Sequence, residues 1–475
     1  MADFLAPLDD LKPKDLPDNH TPFWKMIGPG AVMVGLAIGA GEIVIWPYIT
    51  AKYGPGMVWA AVVGVMLQVW VNFEVGRWTI CTGETVFTGY ARVWRGFAPL
   101  FIVFTILGWL APGWARASGL ASKALLVGPQ GWGSDTFWTC CTFSVVALML
   151  FGPKVAYKVV EKSITAMVIL VTLGMITVAV AVGTTDAWKQ LFGGIMNIGY
   201  RDPSMSVKEL FSALVFAGAG GTSNLFYSFY LRDKHIGMGA HVPTMTNPLR
   251  GEPEKIPATG YVFPDTPENQ GRFQRWWRYV RTDTLCIFWF LNTLTILLFI
   301  FGAIAVLRPQ NIELKQGTLI WDEAVVLGQI WGQPGRILFL MVGIATLFST
   351  QLALVDGVSR TIADIVYTNF KPAQTKSVSW WYTVVAIGWI LTGCVITAVM
   401  EQFKIKELSF LFNAAYMGGF AMAVYVPLQL YLNHTYLPPS ARPGITCTVM
   451  TSIAGLVYIA FALASIAWEL GLLKA

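Results

Sequence analysis

Four places in an otherwise apolar chain carry residues able to hold an ion. The first is Gly39, Ala40, Gly41 and Glu42, inside the run "GLAIGAGEIVIWP" from Gly35 to Pro47. Glycine weakens a helix, proline removes a backbone donor, and a carboxylate near the centre of a bilayer costs about 3 kcal/mol on insertion scales. The second is "GAGGTSN", where Gly221 is followed by the hydroxyls of Thr222 and Ser223 and the amide of Asn224. Farther along, "LFSTQLALVDG" offers Ser349 and Thr350 as hydroxyl ligands for a coupling ion and Asp356 as a second ion or proton site. Arg116, in "APGWARASG", is a fixed positive charge able to face a cavity, pair with Glu42 or hold an anionic group. The chemistry on offer is ion coordination by carboxylate, hydroxyl, amide and freed carbonyl oxygens. The in-membrane residues do not assemble a nucleophile, a base and an orienting group, so the chain is not expected to be an enzyme.

The elements that must position these residues are membrane helices. Of the 475 residues, 55% are hydrophobic and 13% charged, and the mean hydropathy is +0.57. Continuous apolar runs of about 20 residues each cross a bilayer core of roughly 30 Å, and they do not alternate as barrel strands would. About eleven such runs are expected: 24–50, 55–80, 97–120, 135–153, 160–182, 207–231, 284–307, 336–358, 378–400, 407–432 and 444–470. Residues 1–23 read as a polar tail, with no apolar core for a cleaved signal. Lys and Arg concentrate before the first span, between the fourth and fifth (Lys154, Lys158, Lys162), and before the seventh (Arg272, Arg275, Arg278, Arg281). That bias predicts a cytoplasmic N-terminus and an external C-terminus, in a plasma or inner membrane. The net charge of +6 is therefore a topology signal, and no nucleic-acid partner is expected. The six cysteines read as packing residues. His20, His235, His241 and His434 all fall outside the spans, which excludes an intramembrane histidine relay.

Interruptions in the first and sixth spans, five spans apart, are the pattern of a transporter built from inverted repeats. On that pattern the chain divides into residues 24–182 and 183–432, followed by an eleventh helix at 433–475. The segment 232–281, with "HVPTMTNPLRGEPEKIPATGYVFPDTPENQG", reads as loop and turn structure. Its "RFQRWWRYVR" end is expected along the inner leaflet.

From about residue 24 to 470 the sequence resembles the Nramp (natural resistance-associated macrophage protein) group of divalent metal transporters, within the LeuT-type fold. "IGPGAVMVGLAIGAGEI" is similar to the first span of that family and "TSNLFYS" to its sixth. "RYVRTDTLCIFWFLNTLTILLFIFGAIAV" is similar to the seventh, and "LSFLFNAAYMGGFAMAVYVPLQLYL" to the tenth. The resemblance implies an all-α membrane protein with two inverted five-helix repeats plus one helix, working as a symporter by alternating access. The family's motifs are altered here. Its Asp-Pro-Gly-Asn break is Gly39, Ala40, Gly41 and Glu42, its Met-Pro-His is Gly221, Thr222 and Ser223, and the third-span acidic pair falls on Gly113 and Arg116. Loss of the thioether argues against soft-metal selectivity. Three readings follow: a small cation with Glu42 as its metal ligand; a small organic solute or anion; or a non-transporting sensor on the same fold. No resident cofactor is expected, only a transported divalent metal or a Na⁺ or H⁺ coupling ion. The partners are then the lipid bilayer and a small ion or small-molecule substrate.

Overall fold

The computed structural model describes residues 5–19, 21–39, 41–247, 256–310, 319–405 and 407–472. Ala40 and His20 lie outside them. Among the described residues, nine helices are long and apolar enough to cross a bilayer. Two further spans complete the expected set: the shorter helix Asp135–Phe151, and an interrupted sixth span made of Val207–Val215, Gly221–Phe226 and Tyr227–Asp233. The chain is thus an all-α integral membrane protein, with a two-residue parallel pairing of Lys12–Pro13 on Tyr261–Val262 as its only strands among the described residues.

Local sequence explains where the helices stop. In the first span, Pro29–Ala37 ends before the glycines and resumes as a π-helical turn, Gly41–Ile45, that leads into Trp46–Tyr53. Pro47 has no N–H to offer the carbonyl four residues back, so the helix widens rather than closing a regular turn. The sixth span begins with a capping box, in which Ser206 and Glu209 bond each other's backbone. It ends its first half at Val215, and Gly221 restarts it with φ +71°. The third span is also broken, Phe97–Trp109 and Gly113–Leu126 meeting at Pro112. The eighth, Leu319–Asn369, kinks at Gly332.

The seventh span starts earlier than its apolar run. Helix Pro267–Thr282 continues directly into it, so part of the segment expected to be loop is helical. Its tryptophans do not lie against lipid. Trp276 and Trp277 are 5% and 7% exposed; Trp276 Nε1 donates to the Pro17 carbonyl at 2.7 Å, and the Arg77 guanidinium sits 4.0 Å from the Trp277 ring.

What covers this end of the helix is the N-terminal tail. Arg92 and Arg95 donate to the carbonyls of Asp9 and Ala6, both at 2.7 Å, and the Ala6 N–H donates to the Asn369 carbonyl at 2.9 Å. Leu16, fully buried, donates its N–H to Asn269 at 3.1 Å and accepts from Arg272 at 3.0 Å. Arg275 pairs with Asp18 at 2.5 Å. The tail therefore joins the short helix Val86–Val93 and the turn that follows it to the ends of the seventh and eighth spans. Leu16→Ala should cost roughly 2–5 kcal/mol, the usual range for truncating a buried leucine, measured as a lowered melting temperature of the purified protein. An unchanged melting temperature would show that the tail does not hold this face.

Candidate functional site

The two helix breaks meet. A Cβ on Gly39 would stand 2.0 Å from Thr350 Oγ1, and one on Gly41 would stand 2.2 Å from the Phe216 carbonyl oxygen. Only glycine allows the first span to approach the sixth and eighth spans so closely. On the other side of the sixth-span break, a Gly221 Cβ would lie 2.9 Å from the Cα of Gly418, while Tyr425 of the tenth span donates to the Gly221 carbonyl at 3.0 Å.

A small cavity lies at this junction. Leu36, Ala37 and Gly41 line it from the first span, Phe216 to Gly220 in part and Ser223 from the sixth, and Thr350 and Leu354 from the eighth. Trp109 and Trp114 of the third span form an aromatic wall. Trp109 stacks on Phe216 with centroids 5.6 Å apart and donates its indole N–H to Thr222 at 3.1 Å. The side chains lining the cavity are apolar or hydroxyl-bearing, and none carries a charge.

Glu42 is near this cavity but not in its wall. It is fully buried, and both carboxylate oxygens are without a hydrogen-bond partner. Thr295 is the neighbouring hydroxyl, yet it donates to the Leu291 and Asn292 carbonyls of its own helix, at 3.0 and 3.2 Å. Among the described residues Glu42 has no ion-pair partner, whereas other buried carboxylates do: Glu74 pairs with Arg77 at 3.1 Å and Asp364 with Arg232 at 3.1 Å.

The remaining sequence candidates separate. Ser223 donates to the Gly220 carbonyl at 2.8 Å, and Asn224 is fully buried with both amide atoms unpartnered. Ser349 donates to Gly35 and Thr346, each at 2.9 Å, so it bridges the eighth span to the first. Thr350 donates to Thr346 at 3.2 Å and faces the cavity. Asp356 lies elsewhere, bonded to Arg360 at 2.8 Å and to the Tyr382 hydroxyl at 2.8 Å. Arg116 does not pair with Glu42. It donates to the Ile405 carbonyl at 2.9 Å and to Asp135 at 3.2 Å, because the break at Pro112 turns its helix toward the fourth and tenth spans. The pairing expectation is corrected accordingly.

Sequence reading missed two amides. Gln68 of the second span donates Nε2 to the Val215 carbonyl at 2.9 Å, and Asn292 of the seventh donates Nδ2 to Ala217 at 2.9 Å. These are carbonyls freed by the sixth-span break, which lipid could not satisfy. The available signal was an isolated amide in each of two strongly apolar runs, "MLQVWV" and "FWFLNTLT".

No family model and no curated protein matches the chain. Among solved structures it is similar to a manganese transporter from Eremococcus coleocola. A histidine-to-alanine mutant of that protein superposes with a TM-score of 0.68 at 16% identity, over 97% of this chain and 90% of that one. Its complex with an aromatic bis-isothiourea substituted compound gives 0.67 at 14% identity, over the same shares of the two chains. The chain is also similar to Mhp1, a nucleobase-cation-symport-1 family transporter, with a TM-score of 0.53 at 15% identity, over 98% and 96% of the two chains. The fold is therefore of the LeuT type, as the sequence resemblance implied, and the chain is an integral membrane protein built on it.

Proposed function

We propose that this chain is a secondary transporter that moves a small cation by alternating access, with Glu42 as the charged ligand. The observation that carries the reading is a fully buried carboxylate with both oxygens unpartnered, beside an interrupted helix. Burying an unpaired charge costs several kcal/mol, so its retention makes sense where a cation arrives to offset it. The surrounding donors are oxygens, with no thioether, thiolate or imidazole among the residues placed at the break, which suits a hard cation over a soft transition metal. The fold shared with a manganese transporter supports transport as the activity. The tail-bearing face is the cytoplasmic one in this reading.

In proteoliposomes, Glu42→Gln should lower cation flux roughly 100-fold, equivalent to about 2.8 kcal/mol of lost binding. Equal flux in the variant and the parent would refute the reading. A second reading rests on the aromatic, uncharged cavity wall: a small organic solute travels there together with the cation. Solute-dependent cation flux that is lost in Trp109→Ala supports it, and solute-independent flux removes it.

A further inference from the structure

A stripe of exposed side chains on the helix that leads into the seventh span has no part in the proposed transport. With about 3.6 residues to a turn, Gln274, Arg278, Arg281 and Leu285 fall on one face of Pro267–Thr282 and its continuation Asp283–Trp289. All four are exposed. The stripe is cationic up to Arg281 and apolar from Leu285, one turn farther on. A helix entering a bilayer changes in this way at the level of the lipid headgroups. The other two arginines of this helix are already paired, Arg272 with Glu268 and Arg275 with Asp18. Among the described residues, the guanidinium groups of Arg278 and Arg281 have neither an ion-pair nor a hydrogen-bond partner. Both shoulders of the stripe are built. Trp277, before Arg278, packs against the Arg77 guanidinium, which donates to the Ala441 carbonyl at 3.0 Å. That ties the stripe to the start of the eleventh span, Ile445–Glu469, where Arg281 comes near Cys447 and Ile445 is 85% exposed. Tyr279, after Arg278, donates to the Met26 carbonyl at 2.9 Å and meets the Phe23 ring at 5.7 Å. The short helix it holds, Phe23–Met26, presents Trp24, 79% exposed, and Lys25.

Guanidinium forks match the oxygens of a phosphate, tryptophan settles at headgroup depth, and bare aliphatic side chains suit acyl chains. One amphiphile meets all three. We propose that this surface, from Phe23–Met26 across Arg278 and Arg281 to the start of the eleventh span, is a binding site for an anionic phospholipid of the leaflet on the tail-bearing side. Arg278 and Arg281 hold the phosphate, Trp24 lies beside the headgroup, and the acyl chains run down Leu285 and Ile445. A zwitterionic phospholipid carries its own cation next to the phosphate, so it gains less from two arginines. The inference goes beyond the transport reading and holds whatever the cargo.

The test is native mass spectrometry of the detergent-purified full-length protein, titrated with dioleoylphosphatidylglycerol or dioleoylphosphatidylcholine, with a melting curve for every variant. The parent protein is expected to take up phosphatidylglycerol saturably and in preference to phosphatidylcholine. Arg278→Gln combined with Arg281→Gln should weaken that uptake roughly 30-fold, the loss of two cationic contacts at a lipid surface. Both side chains are exposed, so the melting temperature in lipid-free detergent should equal that of the parent. Lys158→Gln combined with Lys162→Gln removes the same charge from exposed positions at the start of the fifth span and should leave uptake unchanged. Equal weakening by the two double variants would reduce the effect to general surface charge and overturn the site. Unaltered affinity in the arginine variant, or equal uptake of the two lipids by the parent, overturns it as well. Displacement of the lipid by inorganic phosphate at equal concentration would mean that the arginines serve a free anion, which also overturns the lipid assignment. Each of these outcomes leaves the transport reading to its own experiment.

Discussion

Arg360→Met will destabilise the protein by about 3–5 kcal/mol, the cost of breaking a buried ion pair from one side. Arg360 is 2% exposed and serves two carboxylates at once. Its Nη1 meets Asp233 at the end of the sixth span at 2.5 Å, and its Nε meets Asp356 of its own helix at 2.8 Å. Tyr382 of the ninth span donates to the other oxygen of Asp356 at 2.8 Å. Three spans are held through one guanidinium, and methionine fills the volume while leaving two buried carboxylates facing each other. Lysine is no substitute, because a single ammonium cannot reproduce a planar fork with fixed directions. The melting temperature of the purified protein reports the loss. The triple variant Arg360→Met with Asp233→Asn and Asp356→Asn should recover much of it, since the charges then leave together. A single variant as stable as the parent would mean that this network is not what joins the sixth and eighth spans.

Gly221→Ala will abolish transport while leaving most of the fold intact, with a flux loss of roughly 100-fold, the size expected when a preorganised site is displaced by about 1 Å. Two effects combine. At φ +71° an L side chain is strained, by about 1–2 kcal/mol, and the new Cβ would stand 2.9 Å from the Cα of Gly418. Backbone cannot swing aside as a flexible side chain can, so either the tenth span or the break itself must move. Tyr425, bonded to the Gly221 carbonyl, and Thr222, bonded to Trp109, move with it. Proteoliposome flux beside a melting curve separates the two consequences: a folded but inactive variant is expected. Full activity would show that the position of the sixth-span break is not needed for transport.

The extent to which the sequence determined these features follows from the range of the physics involved. Helix number is local: a run of about 20 apolar residues must span, so all eleven spans were legible before any packing was known. The breaks are local too, because glycine and proline act on the backbone within a turn: Pro29–Ala37 gives way to a π-helical turn at Gly41–Ile45, and Val207–Val215 to a tighter turn at Gly221–Phe226. Glu42 stood out by its cost in an apolar run. What each polar side chain meets was not local. Gln68 reaches Val215 across 147 positions, Arg77 reaches Ala441 across 364, and Leu16 reaches Asn269 across 253. Arg116 could be assigned to Glu42 on charge alone, but the direction of the broken third span gave it Asp135 and Ile405 instead. Trp276 and Trp277 carry an interface-seeking composition, yet the docked tail and Arg77 bury them. An apolar helix can present an isolated polar residue to any neighbour that satisfies it. Only the packing of helices distant in the chain decided which neighbour that was, and so only the tertiary structure left the Glu42 carboxylate buried without a partner.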